Sequence, residues 1–215
     1  MNPPSYLIIG CGHFGSQAAE KLLRKDRHAR ITLVDKDLKA IQKISSLPVE
    51  SIVGEGIAYV HGGLIKGQPF HYIIPAVPLH LAFEFLLFTL KPFGAKRRKV
   101  PLLPGLPNAM TGKTGDLYTS LANFLCPDDC LEPSQYCTMT GKRRPKPLYR
   151  ILMDICGPFE SRVIRSQQLG PGVGGFKPEV LIDLVRDTKK RRDTGRLILI
   201  STACRCHGVT SALSF

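Results

Sequence analysis

The chain has 215 residues, of which 43% are hydrophobic and 22% charged, a balance that excludes a disordered or fibrous protein and allows one large or two small domains. Thirty Lys and Arg residues against 17 Asp and Glu residues give a formal net charge of +13. The excess lies in basic runs at residues 96–99, 142–144 and 189–192. Such runs attract anions, but solvated loops and helix ends explain them more simply. Since no RNA- or DNA-binding motif accompanies them, we expect no nucleic-acid partner.

The N-terminal segment MNPPSYLIIGCG lacks a basic region before its apolar run and lacks a small-residue cleavage pattern. It therefore indicates a strand and not a signal peptide, and we expect a cytoplasmic protein. A second apolar stretch, at residues 72–90, is interrupted by two prolines, a histidine and a glutamate. These interruptions lead us to expect no membrane-spanning helix there.

The first part of the chain alternates between strand and helix patterns. An apolar run at residues 6–9 ends in glycine, as a strand buried on both faces does, and apolar residues then recur at helical spacing up to a polar turn at 26–28. The next predicted elements are a strand at 31–34, a helix at 38–44, strands at 51–53 and 72–74, and a helix at 79–90. The alternation predicts an α/β fold with a Rossmann-like parallel sheet and helices on both of its faces.

The residue composition of the sequence changes near residue 104. Prolines, glycines and cysteines become frequent, and clear periodicity returns only with a helix pattern at 178–192 and an apolar run at 197–200. We therefore predict a Rossmann dinucleotide-binding domain at 1–107 and an irregular, cysteine-containing α+β region at 108–215. The predicted strand at 196–200 is a candidate for an additional strand of the Rossmann sheet.

Residues 10–15, GCGHFG, form a GxGxxG motif between the first strand and the first helix. The first glycine of such a motif permits a tight turn, the second lets the backbone approach a pyrophosphate, and the third lets the helix pack closely on the strand. The free N–H groups at the start of the helix then bind the phosphates. The predicted phosphate-binding turn consists of Gly10, Gly12, His13, Phe14 and Gly15.

Asp35 stands twenty residues after Gly15, at the end of the second predicted strand. A carboxylate at this point accepts hydrogen bonds from the ribose hydroxyls of an adenosine and repels the 2′-phosphate of NADP, so it favours NAD. The adjacent Lys36 would tolerate a phosphate, which keeps NADP open. The alternative is a glycine-rich turn in an α/β protein that binds no nucleotide.

The segments YLIIGCGHFGSQAAEKL and ITLVDKD, continued by VESIVGEG and HYIIPAVP, resemble the NAD-binding domain of potassium-transport regulators of the RCK or KTN type. The resemblance covers residues 5–90. It implies that the three glycines of the motif and Asp35 hold the dinucleotide and that the segment containing Gly54 lies near the adenine. It also implies a nucleotide-sensing module whose occupancy alters a partner, which would be another protein or a second copy of the chain.

Three cysteines lie close together in the second half, in a C-x3-C-x6-C pattern rich in proline and aspartate. In a protein expected in the cytoplasm, such spacing favours a bound metal over disulfides, with reduced structural thiols as the main alternative. Zinc or an iron–sulfur cluster needs a fourth ligand, for which Cys156, Cys204, Cys206 and His207 are candidates. The predicted metal ligands are Cys126, Cys130, Cys137, Cys156 and Cys206.

Three functions are consistent with these features. The resemblance favours an NAD(H)-binding regulatory protein of potassium transport. The second function is an NAD-dependent oxidoreductase with a cysteine-ligated metal or iron–sulfur centre. In it the cysteine centre or a titratable group such as His80 would face the nicotinamide, although a lone histidine that opens a helix is more often structural. The third is a basic module that binds nucleic acid or an acidic partner and uses the fold as a scaffold.

Overall fold

The computed structural model describes residues 3–215. Its first sheet has four strands, β1 (Ser5–Ile9), β2 (Arg30–Asp35), β3 (Glu50–Val53) and β4 (Tyr72–Pro75). All neighbouring pairs are parallel, and the strand order is β3-β2-β1-β4. This is the order of the first half of a Rossmann sheet, so the predicted parallel sheet is confirmed.

Helices cover this sheet on both faces. The first three, α1 (His13–Lys25), α2 (Leu38–Gln42) and α3 (Gly56–Ile65), connect its strands, and α4 (Leu81–Leu90) follows β4. Because successive side chains of a strand point to opposite faces, Ile8 lies in the apolar cluster that contains α1, whereas Leu7 lies in the cluster that contains α3 and α4. The predicted two-sided covering is confirmed.

The second half of the chain forms a six-stranded sheet and a two-stranded ribbon. Its strands and helices are β5 (Lys96–Arg98), β6 (Met110–Thr111), β7 (Leu117–Ser120), α5 (Leu148–Met153), β8 (Phe159–Arg165), β9 (Gln167–Gly170), β10 (Val173–Gly175), α6 (Glu179–Lys189), β11 (Leu197–Ala203) and β12 (His207–Ser214). The sheet order is β6-β7-β12-β11-β8, and β5 also pairs with β12. Within this sheet β8 and β11 run parallel, and the other neighbours are antiparallel.

The candidate return of a strand at 196–200 to the Rossmann sheet is wrong. β11 lies in the second sheet, between β12 and β8, because an apolar strand pattern does not specify its partner. The free edge of β4 is instead bonded to the residue after the β9–β10 ribbon, through backbone hydrogen bonds of 2.8 and 3.0 Å between Ile73 and Phe176. β5, which falls inside the predicted 1–107 domain, pairs with β12 of the second sheet.

Helix α4 joins the two sheets through one hydrophobic core. Its sequence LAFEFLLFTL is apolar on nearly every side, and a helix of this kind is stable only with most of its surface buried. Phe83 and Leu86 lie in a cluster with Ile73 of the first sheet and with Ile198 and Ile200 of the second. The carboxyl end of β4 is therefore held against the second sheet.

No helix within residues 3–215 combines the length and apolarity needed to cross a membrane. The apolar stretch at 72–90 is divided between β4 and the ten-residue α4, whereas a spanning helix takes about 20 residues.

Replacement of Phe83 tests the shared core. Phe83 is fully buried, so we expect Phe83→Ala to lower the free energy of unfolding by about 3–5 kcal/mol through lost apolar contacts and a cavity. Phe88→Ala, at a half-exposed position of the same helix, should change it by less than about 1 kcal/mol. In urea the wild type should unfold in one transition, because both sheets depend on α4. Separate transitions of the two sheets, or equal effects of the two replacements, would contradict the shared core.

Candidate functional site

The GCGHFG segment forms the turn between β1 and α1. Gly10 has a φ of +102°, and a Cβ there would lie 2.5 Å from the carbonyl oxygen of Ala76. A Cβ on Gly15 would lie 1.9 Å from the carbonyl oxygen of Gly10. The first position therefore requires glycine for its left-handed backbone, and the second for the close approach of helix to strand.

Gly12 faces open space. Among the described residues, no heavy atom outside its chain neighbours lies within 4 Å of the place where its Cβ would be. Gly12 is also the N-cap of α1, and no side chain in residues 3–215 caps this helix. The N-terminus of α1 thus presents its backbone N–H groups to an open space, which is the arrangement that binds phosphate. The turn fits the pyrophosphate of a dinucleotide.

Asp35 ties the end of β2 to this turn. Its Oδ2 accepts the backbone N–H of Cys11 at 2.6 Å, and its Oδ1 accepts the N–H of Asp37 at 2.8 Å. An ionised carboxylate offers about four acceptor sites, so each oxygen keeps a lone pair for a ribose hydroxyl. The side chain can therefore support the turn and bind adenosine at the same time.

A cleft of about 210 Å³ lies at the carboxyl ends of β1 and β2. Gly10, Asp35, Lys36 and Gly54 all line it, and the N–H of Gly54 donates to the Asp35 carbonyl at 2.9 Å. The opposite wall is the loop between β4 and α4. The structure thus brings the predicted adenosine-binding residues together. We call this space the adenosine cleft.

His13 and Phe14, at the start of α1, face the second half of the chain. His13 Nε2 lies 2.6 Å from Oδ2 of Asp128, and the Lys21 ammonium donates to the Asp128 carbonyl at 2.9 Å. The hydrogen bond with His13 lowers the pKa of the Asp128 carboxyl. A carboxylate from the loop at residues 126–130 therefore stands beside the phosphate-binding turn. Sequence reasoning missed this contact, because nothing in the CPDDC segment indicates a partner 115 residues away.

A cavity of about 870 Å³ is lined by Phe14 on one side and by thiols on the other, and we call it the thiol cavity. Its cysteine and histidine residues are Cys126, Cys130, Cys204, Cys206 and His207. Cys126 Sγ lies 3.6 Å from His207 Nε2, and the Arg144 guanidinium donates to Cys206 Sγ at 2.8 Å. Burial raises the pKa of Cys206 to about 11 in spite of this cation, so Cys206 is a protonated thiol at neutral pH.

The predicted metal ligands do not form a metal site in this structure. Within residues 3–215, no group of three or more His, Cys, Asp or Glu side chains is placed to hold a metal ion. Cys156 is exposed after α5 and contacts the Asp154 carbonyl. Cys137 is buried in a turn closed by a 2.8 Å hydrogen bond from the Gly141 N–H to its own carbonyl. The zinc or iron–sulfur prediction is therefore not supported for Cys126, Cys130, Cys137, Cys156 and Cys206.

His80 is fully buried at the N-terminus of α4. Its Nδ1 lies 2.8 Å from the Ser211 hydroxyl, and its Nε2 lies 2.8 Å from the Thr202 hydroxyl. Burial lowers the pKa of His80 to about 3, so the imidazole is neutral at pH 7. Both ring nitrogens are used within the protein, so the role of His80 as proton donor is not supported. The side chain instead ties α4 to the second sheet.

Comparisons with known proteins match both halves of the chain. Residues 6–58 match the model of the TrkA-N domain, and residues 82–215 match a model described as "Uncharacterized protein, C-terminal domain". The chain belongs to the family defined by this C-terminal domain. A protein of Archaeoglobus fulgidus described as "Uncharacterized protein" is 32% identical over 218 residues, which cover 96% of this chain and 98% of that protein. We refer below to residues 82–215 as the family domain.

The TrkA-N match confirms the resemblance to RCK-type NAD-binding domains and includes every predicted nucleotide contact from Gly10 to Gly54. The family domain begins within α4. It therefore contains the second sheet, the loop at residues 126–130 and all of the residues that line the thiol cavity except Phe14.

The buried His80 should make stability depend on pH. The pKa of its imidazole is about 3 in the folded protein and 6.5 without burial, so between these values the unfolded chain binds the proton and the folded chain does not. The free energy of unfolding is therefore unaffected by His80 above pH 6.5, the pKa of this imidazole without burial. As the pH drops from there toward 3, the free energy of unfolding falls by up to about 1.4 kcal/mol per pH unit. His80→Gln retains a donor and an acceptor but does not titrate here. Urea unfolding should show that the free energy of unfolding lost between pH 7 and about pH 5 is about 2 kcal/mol smaller in the variant than in the wild type. Identical losses would contradict this role.

Proposed function

We propose that this protein is an NAD(H)-binding regulatory module in which the family domain reports whether the dinucleotide is bound. The TrkA-N match supports dinucleotide binding in general. The observation that carries the regulatory part is the 2.6 Å contact between Asp128 of the family domain and His13 at the N-terminus of α1. Helix N-termini of this kind bind phosphate. The reporting group therefore stands beside the proposed position of the pyrophosphate.

The coupling between the two sites is electrostatic. A pyrophosphate at Gly12 and the Asp128 carboxylate carry like charges beside the same helix N-terminus, and like charges disfavour each other at short range. Phosphate also competes for the His13 side chain, which Asp128 now occupies. Dinucleotide binding should thus favour states in which Asp128 has left His13, and by linkage the absence of Asp128 should strengthen dinucleotide binding.

The loop at residues 126–130 is connected to the rest of the family domain. The backbone of Asp128 packs on Gly172, where a Cβ would lie 1.7 Å from the Asp128 carbonyl oxygen. The Cys130 carbonyl accepts hydrogen bonds from the Gly172 N–H at 3.1 Å and from the Gln168 side chain at 2.8 Å. Movement of Asp128 would therefore shift the β9–β10 ribbon and the wall of the thiol cavity. A protein partner or a second copy of the chain would detect this change, in the cytoplasm and in the setting of potassium transport.

The other functions considered from the sequence are less well supported. The oxidoreductase hypothesis used His80 as a candidate proton donor, but His80 is buried and both of its ring nitrogens are hydrogen-bonded within the protein. Neither matching model describes a redox enzyme or a nucleic-acid-binding protein. The position of Asp35 in the adenosine cleft also leads us to propose NAD(H) over NADP(H).

Asp35→Ala tests the dinucleotide site. Loss of a charged hydrogen-bonding partner should weaken NADH binding by about 10- to 100-fold. Asp37→Ala is a matched control, since Asp37 caps α2 nearby and should leave binding unchanged. Calorimetric titrations with NAD, NADH, NADP and ATP measure both variants and the wild type. Failure of the wild type to bind any of the four nucleotides would contradict the proposed site.

Asp128→Asn tests the regulatory contact. Removing the negative charge beside His13 should strengthen NADH binding by about two- to fivefold at low salt, and the gain should shrink at high salt because the charges are then screened. Asp129→Asn removes a charge from the next residue and is the control. Equal affinities of the two variants for NADH would contradict the proposal that Asp128 opposes the pyrophosphate.

A further inference from the structure

We propose that the nicotinamide ring of the dinucleotide is bound in a cavity between β4 and the second sheet, with the family domain forming part of its wall. The cavity has a volume of about 530 Å³, which is within the range of small-molecule sites. We call it the inter-sheet cavity. This inference rests on the proposed function, because it assumes that a dinucleotide occupies the adenosine cleft.

The inter-sheet cavity lies where the carboxyl ends of parallel strands from both sheets meet. Pro75 ends β4, Ser166 follows β8, and Ala203 ends β11, and all three residues line the cavity. In open α/β sheets, ligands bind beyond the carboxyl ends of the strands, where the strand order reverses. In the first sheet that point is between β1 and β4, next to the phosphate-binding turn.

The inter-sheet cavity adjoins the adenosine cleft. Both spaces are lined by Val77, Pro78, Leu79 and Leu81 of the β4–α4 segment. A dinucleotide whose adenosine lies at Asp35 and whose phosphates lie at Gly12 would therefore continue along this segment. At its far end the cavity shares Ser166, Cys204 and His207 with the thiol cavity.

The walls suit an uncharged, partly polar ring system. Val77 and Val209 supply apolar surface, and the hydroxyls of Ser166 and Tyr118 can bond the carboxamide of a nicotinamide. The His207 imidazole also lines the cavity. Burial and the Arg144 cation lower the pKa of His207, so at neutral pH its ring is uncharged and can both donate and accept a hydrogen bond.

The walls of the cavity come partly from the 75–81 segment and partly from the family domain, and Asp35 is not among them. The two ends of the ligand can therefore be tested separately. NADH, ADP-ribose and AMP share the adenosine, but only NADH carries the nicotinamide. The wild type should bind NADH at least about tenfold more tightly than ADP-ribose, a difference typical of one buried ring with satisfied hydrogen bonds. AMP should bind no more tightly than ADP-ribose.

Val209→Trp places a large side chain in the inter-sheet cavity and should reduce NADH affinity to that of ADP-ribose, while ADP-ribose binding stays unchanged. The control is Ile182→Trp, on an exposed position of α6, which should alter neither affinity. Retained ADP-ribose binding shows that the Val209 variant is folded. Tyr118→Ala, which removes part of the wall, provides a second route to the same selective loss.

Calorimetric titration of each variant with the three ligands gives distinguishable outcomes. If no ligand binds the wild type, the proposed function fails. If NADH and ADP-ribose bind the wild type equally, or if Val209→Trp and Tyr118→Ala leave the preference for NADH intact, the dinucleotide site stands and the inter-sheet cavity is not where the nicotinamide binds. A selective loss of NADH affinity in these variants supports the inference.

Discussion

Helix α4 is apolar on nearly all sides, and it can be buried only if protein packs on it from two directions. The first sheet covers it through Leu7 and Ile73, and the second through Ile198 and Ile200. Because α4 directly follows β4, its burial fixes the second sheet at the carboxyl edge of the first. The buried bonds of His80 hold the start of the helix in the same place. As a result, the phosphate-binding turn, the Asp128 loop and the inter-sheet cavity all lie along one crevice.

The first half of the fold could be predicted because its determinants are local. Strands buried on both faces give continuous apolar runs, and the GxGxxG turn requires glycine at Gly10 and Gly15 for reasons contained within a few residues. The sequence of the second sheet contains no comparable local pattern. β8 reads FESRVIR and is only partly buried along most of its length, and β5 pairs with β12, more than a hundred residues later. Such pairings follow from tertiary packing and not from periodicity.

In the candidate site, too, locally determined features could be predicted and those that depend on tertiary packing could not. The spacing of Asp35 from the glycines predicted its place in the adenosine cleft, because a strand and a helix of ordinary length separate them. The cysteine spacing could not predict the thiol cavity, since Cys204 and Cys206 come from a turn of the second sheet, while Cys137 and Cys156 do not line the cavity. Arg144 donates to Cys206 from a basic run that in the sequence was explained most simply as a solvated loop or helix end. One residue of that run thus has a hydrogen-bond partner within the protein.

A dinucleotide bound between the two sheets should affect the family domain as well as the TrkA-N part. Amide hydrogen exchange of the full chain, with and without saturating NADH, measures both effects because it reports each segment separately. We expect slower exchange at residues 10–16 and 54–57 and in the 76–82 segment, together with faster exchange at residues 126–130 as Asp128 leaves His13. Protection confined to the TrkA-N part, with no change at residues 126–130, would contradict the response of the family domain. Unchanged exchange throughout would contradict the binding site itself.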